Sequence, residues 1–240
     1  MHPRHESAVP ARLRRTDLPA DTVALARFLI GKTLVHDLPE GRVAGRIVET
    51  EAYLPDDPAC HAFIGQTRRN RSLFLERGHA YVYFSYGCWA LMNVASETAG
   101  IGAGVLLRAI EPLEGIPIME ARRKTRRLLD LARGPGRLSA AMGIALADDG
   151  RDLCAPGPLW LGEAVRPPGK VCVSVRIGIT RAADRQLRFF EAGNPFVSGP
   201  ASLNRRTTGR SRPRESGARP PPDRDHSAAG TALRWRRNAP

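Results

Sequence analysis

The stretch that decides the fold is RVAGRIVETEAY, residues 42–53. It is rich in β-branched residues and has no proline, a composition that favours a long β-strand. Alternate side chains of a strand point to the same face, so Glu49, Glu51 and Tyr53 are predicted to share one face. A solvated strand face is the simpler interpretation of two carboxylates and an aromatic ring. A catalytic surface is the alternative.

A second strand is predicted directly before this one. Residues Thr33 to His36 are β-prone, and the turn Pro39-Glu40-Gly41 separates them from Arg42. Proline and glycine in a short polar connection are typical of a turn between paired strands. The two strands are therefore expected to form a β-hairpin.

The chain has four tyrosines. They are Tyr53, Tyr81, Tyr83 and Tyr86. The segments Tyr81–Tyr86 and Trp89–Val94 are predicted strands with Gly87 as the bend between them, which places Tyr81 and Tyr83 on one face. Tyrosines in strands usually pack or pair across a sheet. The alternative is that one stacks on a nucleic-acid base while another projects from the turn as a wedge.

The rest of the chain mixes helical and strand patterns. The predicted helices are Asp17–Ile30, Gly115–Ala132 and Leu138–Leu146. The remaining predicted strands are Val105–Ile110, Val171–Ile179 and Leu187–Glu191. The first helix is expected to begin near Pro19 or Asp21 and to stop at Gly31. In the second helix, four residues are expected to face the core: Ile118, Leu128, Leu129 and Leu131. Because no regular βαβ repeat is present, these segments predict an α+β fold.

Length and charge suggest one domain that binds a polyanion. The 240 residues carry a formal net charge of +13. Residues 199–240 hold ten arginines and three acids, a net charge of +7, so the preceding residues carry 13 − 7 = +6. We therefore predict an extension at 1–15, a catalytic domain at 16–198 and a disordered Arg- and Pro-rich tail at 199–240. A basic body favours a nucleic-acid partner through counterion release.

Several classes of protein are not favoured by the composition. No apolar run reaches the roughly 20 residues of a membrane span, and the first 15 residues lack the apolar core of a secretory signal. The four cysteines form no C-x-x-C pair, which argues against a zinc knuckle, an iron–sulfur cluster or a disulfide framework. We expect an intracellular protein with reduced, mostly buried thiols.

A polar, turn-rich segment follows Tyr53. It contains Asp56-Asp57-Pro58-Ala59-Cys60-His61 and then Gln66-Thr67-Arg68-Arg69-Asn70-Arg71. The clustered cations suit a loop that faces phosphate. A lone histidine is more often structural than functional, but His61 lies between the carboxylate strand and this basic loop. It is a candidate hydrogen-bond donor to a ligand.

Several motifs together resemble a known family. They are Gly45–Tyr53, His61, Gln66–Arg71, Tyr81–Gly87, Met92-Asn93, Val105–Leu113, Gly134–Leu138 and Leu187–Phe190. In order and spacing they resemble the alkyladenine (3-methyladenine) DNA glycosylases, including the vertebrate members. The resemblance runs from about Asp17 to Ser198 and implies a single α+β domain with a curved antiparallel sheet flanked by helices. The tail has no counterpart in the family.

The resemblance implies a role for each matching residue. Glu51 would be the general base that deprotonates the water attacking the sugar C1′ carbon, helped by Arg108 and the main-chain carbonyl near Ile177. The residues implied to bind the flipped base are Tyr53, His61, Tyr83 and Asn93. Those implied to contact DNA are Tyr86, as an intercalating wedge, and Thr67, Arg68, Arg71 and Arg137. Arg137 stands where family members often carry lysine.

The resemblance also implies the reaction. It is base excision from double-stranded DNA containing damaged purines, namely 3-methyladenine, 7-methylguanine, hypoxanthine or ethenoadenine, by hydrolysis that leaves an abasic site. No metal and no cofactor are expected, and we expect a monomer in the cytoplasm, associated with the nucleoid if the source is bacterial. One rival is a non-catalytic nucleic-acid-binding module, which has no use for a carboxylate at Glu51. A second is a nuclease, which needs clustered acids to hold metal ions, and only Glu49 and Glu51 come close.

Overall fold

The computed structural model describes residues 10–85 and 89–204. The strands are β1 Thr33–Leu38, β2 Gly41–Tyr53, β3 Ala80–Ser85, β4 Trp89–Ala95, β5 Gly104–Glu114, β6 Leu159–Gly162, β7 Val171–Ser174 and β8 Arg188–Glu191. The helices are α1 Thr22–Leu29, α2 Ile116–Arg123, α3 Leu128–Leu131 and α4 Pro135–Met142. Every strand pair in this part of the chain is antiparallel and belongs to one sheet. The predicted α+β class is confirmed.

Strand β2 is the centre of the sheet. One of its edges pairs with β5. Its other edge is shared, because residues 41–46 pair with β1 while residues 49–51 pair with β8. The strand order is β3-β4-β5-β2-β1-β6, with β8 and then β7 attached to β2. The hairpin predicted on either side of Pro39-Glu40-Gly41 is therefore present.

The pairing of β2 with β5 contains irregularities. Register shifts occur between residues 44 and 45 and between residues 47 and 50. Such bulges bend a strand and increase its twist. The second irregularity coincides with Glu49 and with the point where β8 joins β2. The curvature of the antiparallel sheet, which was expected from the family resemblance, thus includes the segment that holds the two glutamates.

The two faces of β2 and β5 have different surroundings. Thr50 of β2 donates a hydrogen bond to the carbonyl of Ala26 in α1 at 2.9 Å. Leu107 of β5 is fully buried in the main core, which also includes residues of α1 and α4. Glu49, Glu51 and Arg108 alternate with these residues and lie on the opposite face. The helices thus support one side of the strands, and the polar groups occupy the other.

The first helix is shorter than predicted. Residues 15–17 form a 3-10 turn, and α1 begins at Thr22 with Asp21 as its N-cap, whose side chain accepts from the Ala24 amide at 2.7 Å. Capping by an aspartate satisfies an amide that has no partner within the helix. Of the two predicted starting residues, Asp21 is the one at the boundary. Gly31 follows the helix with a φ of +90°.

The prediction of one long helix over 115–132 is wrong. The structure has α2 over Ile116–Arg123 and then a separate turn, α3, over Leu128–Leu131. Lys124 ends α2 in the left-handed region, with a φ of +52°. Leu128 and Leu129 are exposed, so they are not core residues, whereas Leu131 is fully buried. The pattern of apolar and basic residues continues through this segment, so it gave no sign that the helix ends at Lys124.

Other boundaries also differ from the prediction. The helix expected at Leu138–Leu146 is α4, which begins at Pro135 and ends before Gly143, a glycine with a φ of +67°. The strand expected at Val171–Ile179 ends at Ser174. Strand β6 was not predicted, although it pairs with β1 and closes that side of the sheet.

Residues beyond the predicted domain limits also contact the body. Leu13 is fully buried, and its amide donates to the carbonyl of Leu161. At the other end, the Asn204 side chain accepts from Arg188 at 2.6 Å. The packed body therefore includes residues outside 16–198. The division into extension, domain and tail stays a prediction, and residues 1–9 and 205–240 lie outside the described residues.

No helix in the described part of the chain has the length and apolar character needed to cross a membrane.

We predict that Leu107→Ala lowers the free energy of unfolding by about 2–5 kcal/mol, because it leaves a cavity in the main core. Urea unfolding measures this change. Val165→Ala is the matched control, since Val165 is 46% exposed. A loss for Leu107→Ala no larger than that of the control would contradict the placement of β5 in the core.

Candidate active site

Two glutamates of β2 are the most deeply buried acids of the sheet. Glu49 and Glu51 are both 0% exposed. In the pairing with β8, Glu49 lies opposite Phe190 and Glu51 lies opposite Arg188. The interpretation of this strand face as solvated is therefore wrong. A buried charge must be compensated by a partner or protonated.

Arg108 of β5 joins the two glutamates. Its Nε donates to Glu49 Oε1 at 3.0 Å, and its Nη1 lies 3.1 Å from Glu51 Oε1. Its Nη2 donates to the Ser198 hydroxyl at 3.4 Å. The planar guanidinium thus connects both carboxylates in a fixed geometry. The structure brings the two predicted catalytic residues, Glu51 and Arg108, into direct contact.

Glu49 is the more strongly compensated of the two acids. Besides Arg108, it accepts from Arg188 Nε at 2.6 Å and from the Ser198 amide at 2.6 Å. Burial by itself raises the pKa of Glu49, but Arg108 and Arg188 together hold it below its ordinary value. Glu49 is therefore an ionised anchor for two arginines.

Glu51 is paired with one arginine, whereas Glu49 is paired with two. Its Oε1 accepts from the Ile177 amide at 2.8 Å, and its Oε2 accepts from the Tyr53 hydroxyl at 3.0 Å. Burial raises the pKa of Glu51 above its ordinary value, and Arg108 opposes that effect only in part. The carbonyl of Ile177 accepts from Arg108 Nη1 at 3.5 Å, so this residue contacts both members of the pair. A carboxylate with a raised pKa is typical of a proton acceptor in an enzyme.

A pocket of about 290 Å³ lies next to Tyr53, and neither Glu51 nor Arg108 lines it directly. All four residues predicted to bind the base line it: Tyr53, His61, Tyr83 and Asn93. Tyr53 connects the pocket to Glu51 through its hydroxyl group. The pocket adjoins a second cavity of about 500 Å³, and His61 and Tyr81 line both. The separate sequence motifs thus converge on one concave site.

Aromatic rings form one wall of the pocket. Tyr81 and Tyr83 are stacked with ring centroids 5.2 Å apart, as expected for residues on one strand face. His61 packs edge-on against Tyr83 at 4.5 Å, and its Nδ1 lies 2.9 Å from the Tyr81 hydroxyl. Burial lowers the pKa of His61, and the nearby Arg69 lowers it further. His61 is therefore a neutral ring near pH 7.

Asn93 supplies a polar group to the pocket. It is 6% exposed and lies on β4 opposite Tyr81. Its Nδ2 atom is buried and has no hydrogen-bond partner among the described residues. Leaving such a donor unsatisfied costs about 1–3 kcal/mol. The free donor in a pocket wall indicates a group that a ligand can satisfy.

A buried ion pair contacts the Tyr53 ring, which lines the pocket. Asp57 and Arg176 are both fully buried, and Arg176 Nη2 donates to Asp57 Oδ1 at 3.1 Å. The Arg176 guanidinium also lies 4.6 Å from the centroid of the Tyr53 ring. Sequence analysis did not select either residue. The pairing joins segments 119 residues apart, and no local pattern signals it.

The loop with the motif Gln66–Arg71 is held by Asn70. Its side-chain amide donates to the carbonyls of His61 and Gly65, and its Oδ1 accepts from the Thr67 amide at 2.6 Å. The predicted DNA contacts Thr67, Arg68 and Arg71 are exposed around this fixed turn. These three positions are accessible to a large ligand.

Arg69 is a site residue that sequence analysis missed. It lines the pocket, and its Cζ lies 6.0 Å from the centroid of the Tyr83 ring. Its Nη2 donates to the carbonyl of Phe84 at 3.2 Å. The motif containing it was recognised, but nothing in the sequence distinguished Arg69 from Arg68 and Arg71.

Another predicted DNA contact, Arg137, does not line the pocket. Arg137 is an exposed residue of α4 that pairs with Asp130 at 3.0 Å. Tyr86, the predicted wedge, and Cys88 lie outside the described residues, between β3 and β4. Cys60 lines the pocket wall, and burial raises the pKa of its thiol to about 11. Within residues 10–85 and 89–204, no group of three or more His, Cys, Asp and Glu could hold a metal ion.

Comparison with known proteins gives consistent matches. Residues 16–195 match the family described as "Methylpurine-DNA glycosylase (MPG)". A "Putative 3-methyladenine DNA glycosylase" from Mesorhizobium japonicum is 61% identical over 191 residues, 80% of this chain and 92% of that protein. Proteins of the same name from Paraburkholderia phytofirmans and Methanoculleus marisnigri are 56% and 47% identical, covering 80% and 74% of this chain and 90% and 94% of theirs. The family match contains Glu49, Glu51, Arg108 and every residue that lines the pocket.

The opposite pKa directions of the two glutamates give a matched pair of predictions for stability. Glu49 has a lowered pKa in the folded state, so its stabilisation is present above the unfolded pKa and is lost as the pH falls through the folded pKa. Glu51 has a raised pKa, so its charge destabilises the fold at neutral pH. We predict that Glu49→Gln lowers the free energy of unfolding by about 3–5 kcal/mol, because Arg188 loses its carboxylate partner and Arg108 loses one of two.

Glu51→Gln is expected to leave the free energy of unfolding equal to or higher than that of the wild type. Urea unfolding at pH 7.5 compares both variants under the same conditions. Equal destabilisation by the two substitutions would contradict the different compensation of the two carboxylates.

Proposed function

We infer that this chain, which belongs to the methylpurine-DNA glycosylase family, is a DNA-3-methyladenine glycosylase of base excision repair. We further propose that it takes up a purine flipped from double-stranded DNA and hydrolyses its N-glycosidic bond to leave an abasic site. The proposed substrates are 3-methyladenine, 7-methylguanine, hypoxanthine and ethenoadenine.

The observation that carries this proposal is the environment of Glu51. An ionised carboxylate has about four acceptor positions. Arg108, the Ile177 amide and the Tyr53 hydroxyl use three of them. The fourth position is proposed to hold the attacking water molecule next to Tyr53, whose side chain lines the pocket. A buried carboxylate with an open acceptor position is suited to remove a proton.

Glu51 is the proposed general base. The water oxygen forms a bond to the sugar C1′ carbon while the bond from C1′ to the base nitrogen breaks, and the bonding electrons leave with the base. The water proton passes to Glu51. Because the sugar develops positive charge in the transition state, the carboxylate also stabilises it electrostatically. Arg108 holds the carboxylate in place and balances its charge before the reaction.

The aromatic wall fits a flipped purine. Tyr53, Tyr83 and His61 offer ring surfaces, and stacking of a base on an aromatic side chain contributes about 1–3 kcal/mol. Such stacking tolerates many bases, and a purine with a positive charge from alkylation is attracted further to an electron-rich ring. This supports a broad range of lesions.

Asn93 is the proposed selectivity group. Its unsatisfied Nδ2 donor would face the 2-amino group of normal guanine, which is also a donor. Hypoxanthine lacks that amino group, and adenine derivatives lack it as well. 7-Methylguanine keeps it, and we propose that the attraction of its positive charge to the electron-rich rings of the pocket offsets this repulsion. Discrimination against normal guanine therefore follows from donor–donor repulsion and from the limited space of the pocket.

The remaining predicted residues are proposed to hold the duplex. Thr67, Arg68, Arg71 and Arg137 are exposed and would contact DNA phosphates. Tyr86 would fill the gap that the flipped nucleotide leaves in the helix, which offsets a flipping cost of a few kcal/mol.

We predict that Glu51→Gln reduces base release by at least about 100-fold while the affinity for lesion DNA is kept. The substrate is a duplex oligonucleotide with one hypoxanthine, incubated with excess EDTA and then treated with alkali to cut abasic sites. Wild-type enzyme should give strand breaks only after alkali and only at the lesion. Glu40→Gln is the matched control, because Glu40 is an exposed glutamate of the β1–β2 turn.

Wild-type rates in Glu51→Gln would exclude Glu51 as the base. Lesion binding by the wild type without any base release would instead identify the chain as a binding protein, the rival function. Strand breaks before alkali would exclude a purely hydrolytic reaction.

A further inference from the structure

Arg176 is a buried arginine that joins separate segments around the site. It is 4% exposed. Its Nη1 donates to the carbonyl of Ala52 at 3.0 Å, and its Nη2 donates to the carbonyl of Ala182 at 3.3 Å. Both nitrogens also donate to the carboxylate of Asp57. These contacts use four of the five N–H donors of a guanidinium, so the group is held in one orientation.

Asp57 connects this guanidinium to the turn that carries His61. The Ala59 amide donates to Asp57 Oδ1 at 3.0 Å, and the Cys60 amide donates to the Asp57 carbonyl at 2.8 Å. Ala59, Cys60 and His61 all line the base pocket. The carboxylate thus positions one wall of the pocket and one face of Arg176 together.

The hydrogen bond to Ala182 holds the loop that follows Arg176. Ala182 has a φ of +46°, a left-handed conformation that residues other than glycine rarely adopt. Such a conformation persists where surrounding contacts hold it in place. Ile179, between Arg176 and Ala182 in the chain, lines the pocket. A second wall of the pocket therefore also depends on Arg176.

The same guanidinium fixes Tyr53. Its Cζ lies 4.6 Å from the centroid of the Tyr53 ring, and the Tyr53 hydroxyl donates to Glu51 Oε2 at 3.0 Å. Burial raises the pKa of Tyr53, so its hydroxyl keeps the proton that it donates. A hydrogen bond to a carboxylate favours the charged form. Arg176 thus reaches the proposed general base through Tyr53.

Arg176 also precedes the other neutral donor to Glu51. The amide of Ile177, the next residue, donates to Glu51 Oε1 at 2.8 Å. The remaining charged and titratable groups around Glu51 come from its own strand and from the two strands paired with it: Glu49 and Tyr53 of β2, Arg108 of β5 and Arg188 of β8.

We propose that Asp57 and Arg176 are positioning residues for base release, which hold the Tyr53 hydroxyl and the Ile177 amide on Glu51. The inference rests on the proposed function, because it takes Glu51 as the general base. Loss of either member would let Tyr53 move away from the carboxylate. Glu51 would then lose a hydrogen bond that favours its ionised form.

Asp57→Asn tests this role because of the sign of its effect. The new side-chain amide places a donor against Arg176 Nη1, so the guanidinium is displaced from Tyr53. We expect the midpoint of the rate–pH curve for 7-methylguanine release to rise by about 0.5–1 pH unit, the effect of one hydrogen bond. Loss of a negative charge that acted only through space would lower this midpoint instead. Single-turnover rates with saturating enzyme measure it.

Asp56→Asn is the matched control. It makes the same change of charge one residue earlier, where the side chain is 74% exposed and pairs with Arg185 at 3.6 Å. Its midpoint and rate should equal those of the wild type. Tyr53→Phe should raise the midpoint as much as Asp57→Asn does. Combining these two substitutions should raise it no further, because both remove the same hydrogen bond.

A double substitution keeps the test valid if Asp57→Asn does not fold. Removing one member of a buried ion pair leaves an uncompensated charge, whereas replacing both members with apolar residues does not. Asp57→Leu combined with Arg176→Met is therefore expected to fold and to raise the midpoint, since Tyr53 again loses its support. Circular dichroism of each variant checks the fold.

A lower midpoint in Asp57→Asn, or an unchanged midpoint in the folded variants, would overturn the proposal. The pair would then act through its field or on stability alone. A further rise when Tyr53→Phe is added would also overturn it.

Titration of Glu51 by carbon-13 NMR, assigned by the signal that Glu51→Gln removes, makes the same comparison without DNA. We expect the same upward shift of the Glu51 pKa in Asp57→Asn, and no shift in Asp56→Asn. Absence of base release by the wild type would refute the proposed function, whereas this titration would still decide the role of the pair.

Discussion

The structure depends on two carboxylates of one strand that are buried beside two arginines. Glu49 and Glu51 lie on β2 where the strand changes partners, and Arg108 and Arg188 reach them from β5 and β8. Uncompensated, either charge would be too costly to bury. The sheet therefore has to bring β5 and β8 to opposite edges of β2. The same arrangement gives Glu49 two arginine partners and Glu51 one, so Glu51 is the less compensated of the two carboxylates.

Much of the sheet could be predicted because strand alternation and turn residues are local signals. The hairpin of β1 and β2 and the pair of β3 and β4 both follow from such patterns. The prediction of one helix over 115–132 was wrong because the helix ends at Lys124, whose backbone adopts a left-handed conformation. Residues other than glycine rarely adopt this conformation. Strand β6 was missed because LWLG, residues 159–162, is too short to show a period.

The candidate site was predicted where its residues belong to recognisable motifs, and it was missed where contacts join distant segments. The four residues predicted to bind the base line one pocket, and Glu51 contacts Arg108. Sequence analysis did not select Asp57 and Arg176, whose ion pair supports Tyr53. Sequence analysis also could not assign a role to Glu49. Strand alternation predicts which face a side chain lies on, but not which residues it contacts there. The second arginine partner, Arg188, distinguishes the Glu49 carboxylate from that of Glu51.

The pH dependence of base release tests the central claim, that Glu51 is a buried general base, most directly. The substrate is a duplex with one 7-methylguanine, because this base is already cationic and its departure needs no added proton. Single-turnover rates should fall as the pH decreases, with a midpoint above 4.5, the ordinary pKa of glutamate, since burial raises the pKa of Glu51. A rate that stays constant down to pH 4.5, or that Glu51→Gln leaves unchanged, would contradict the account.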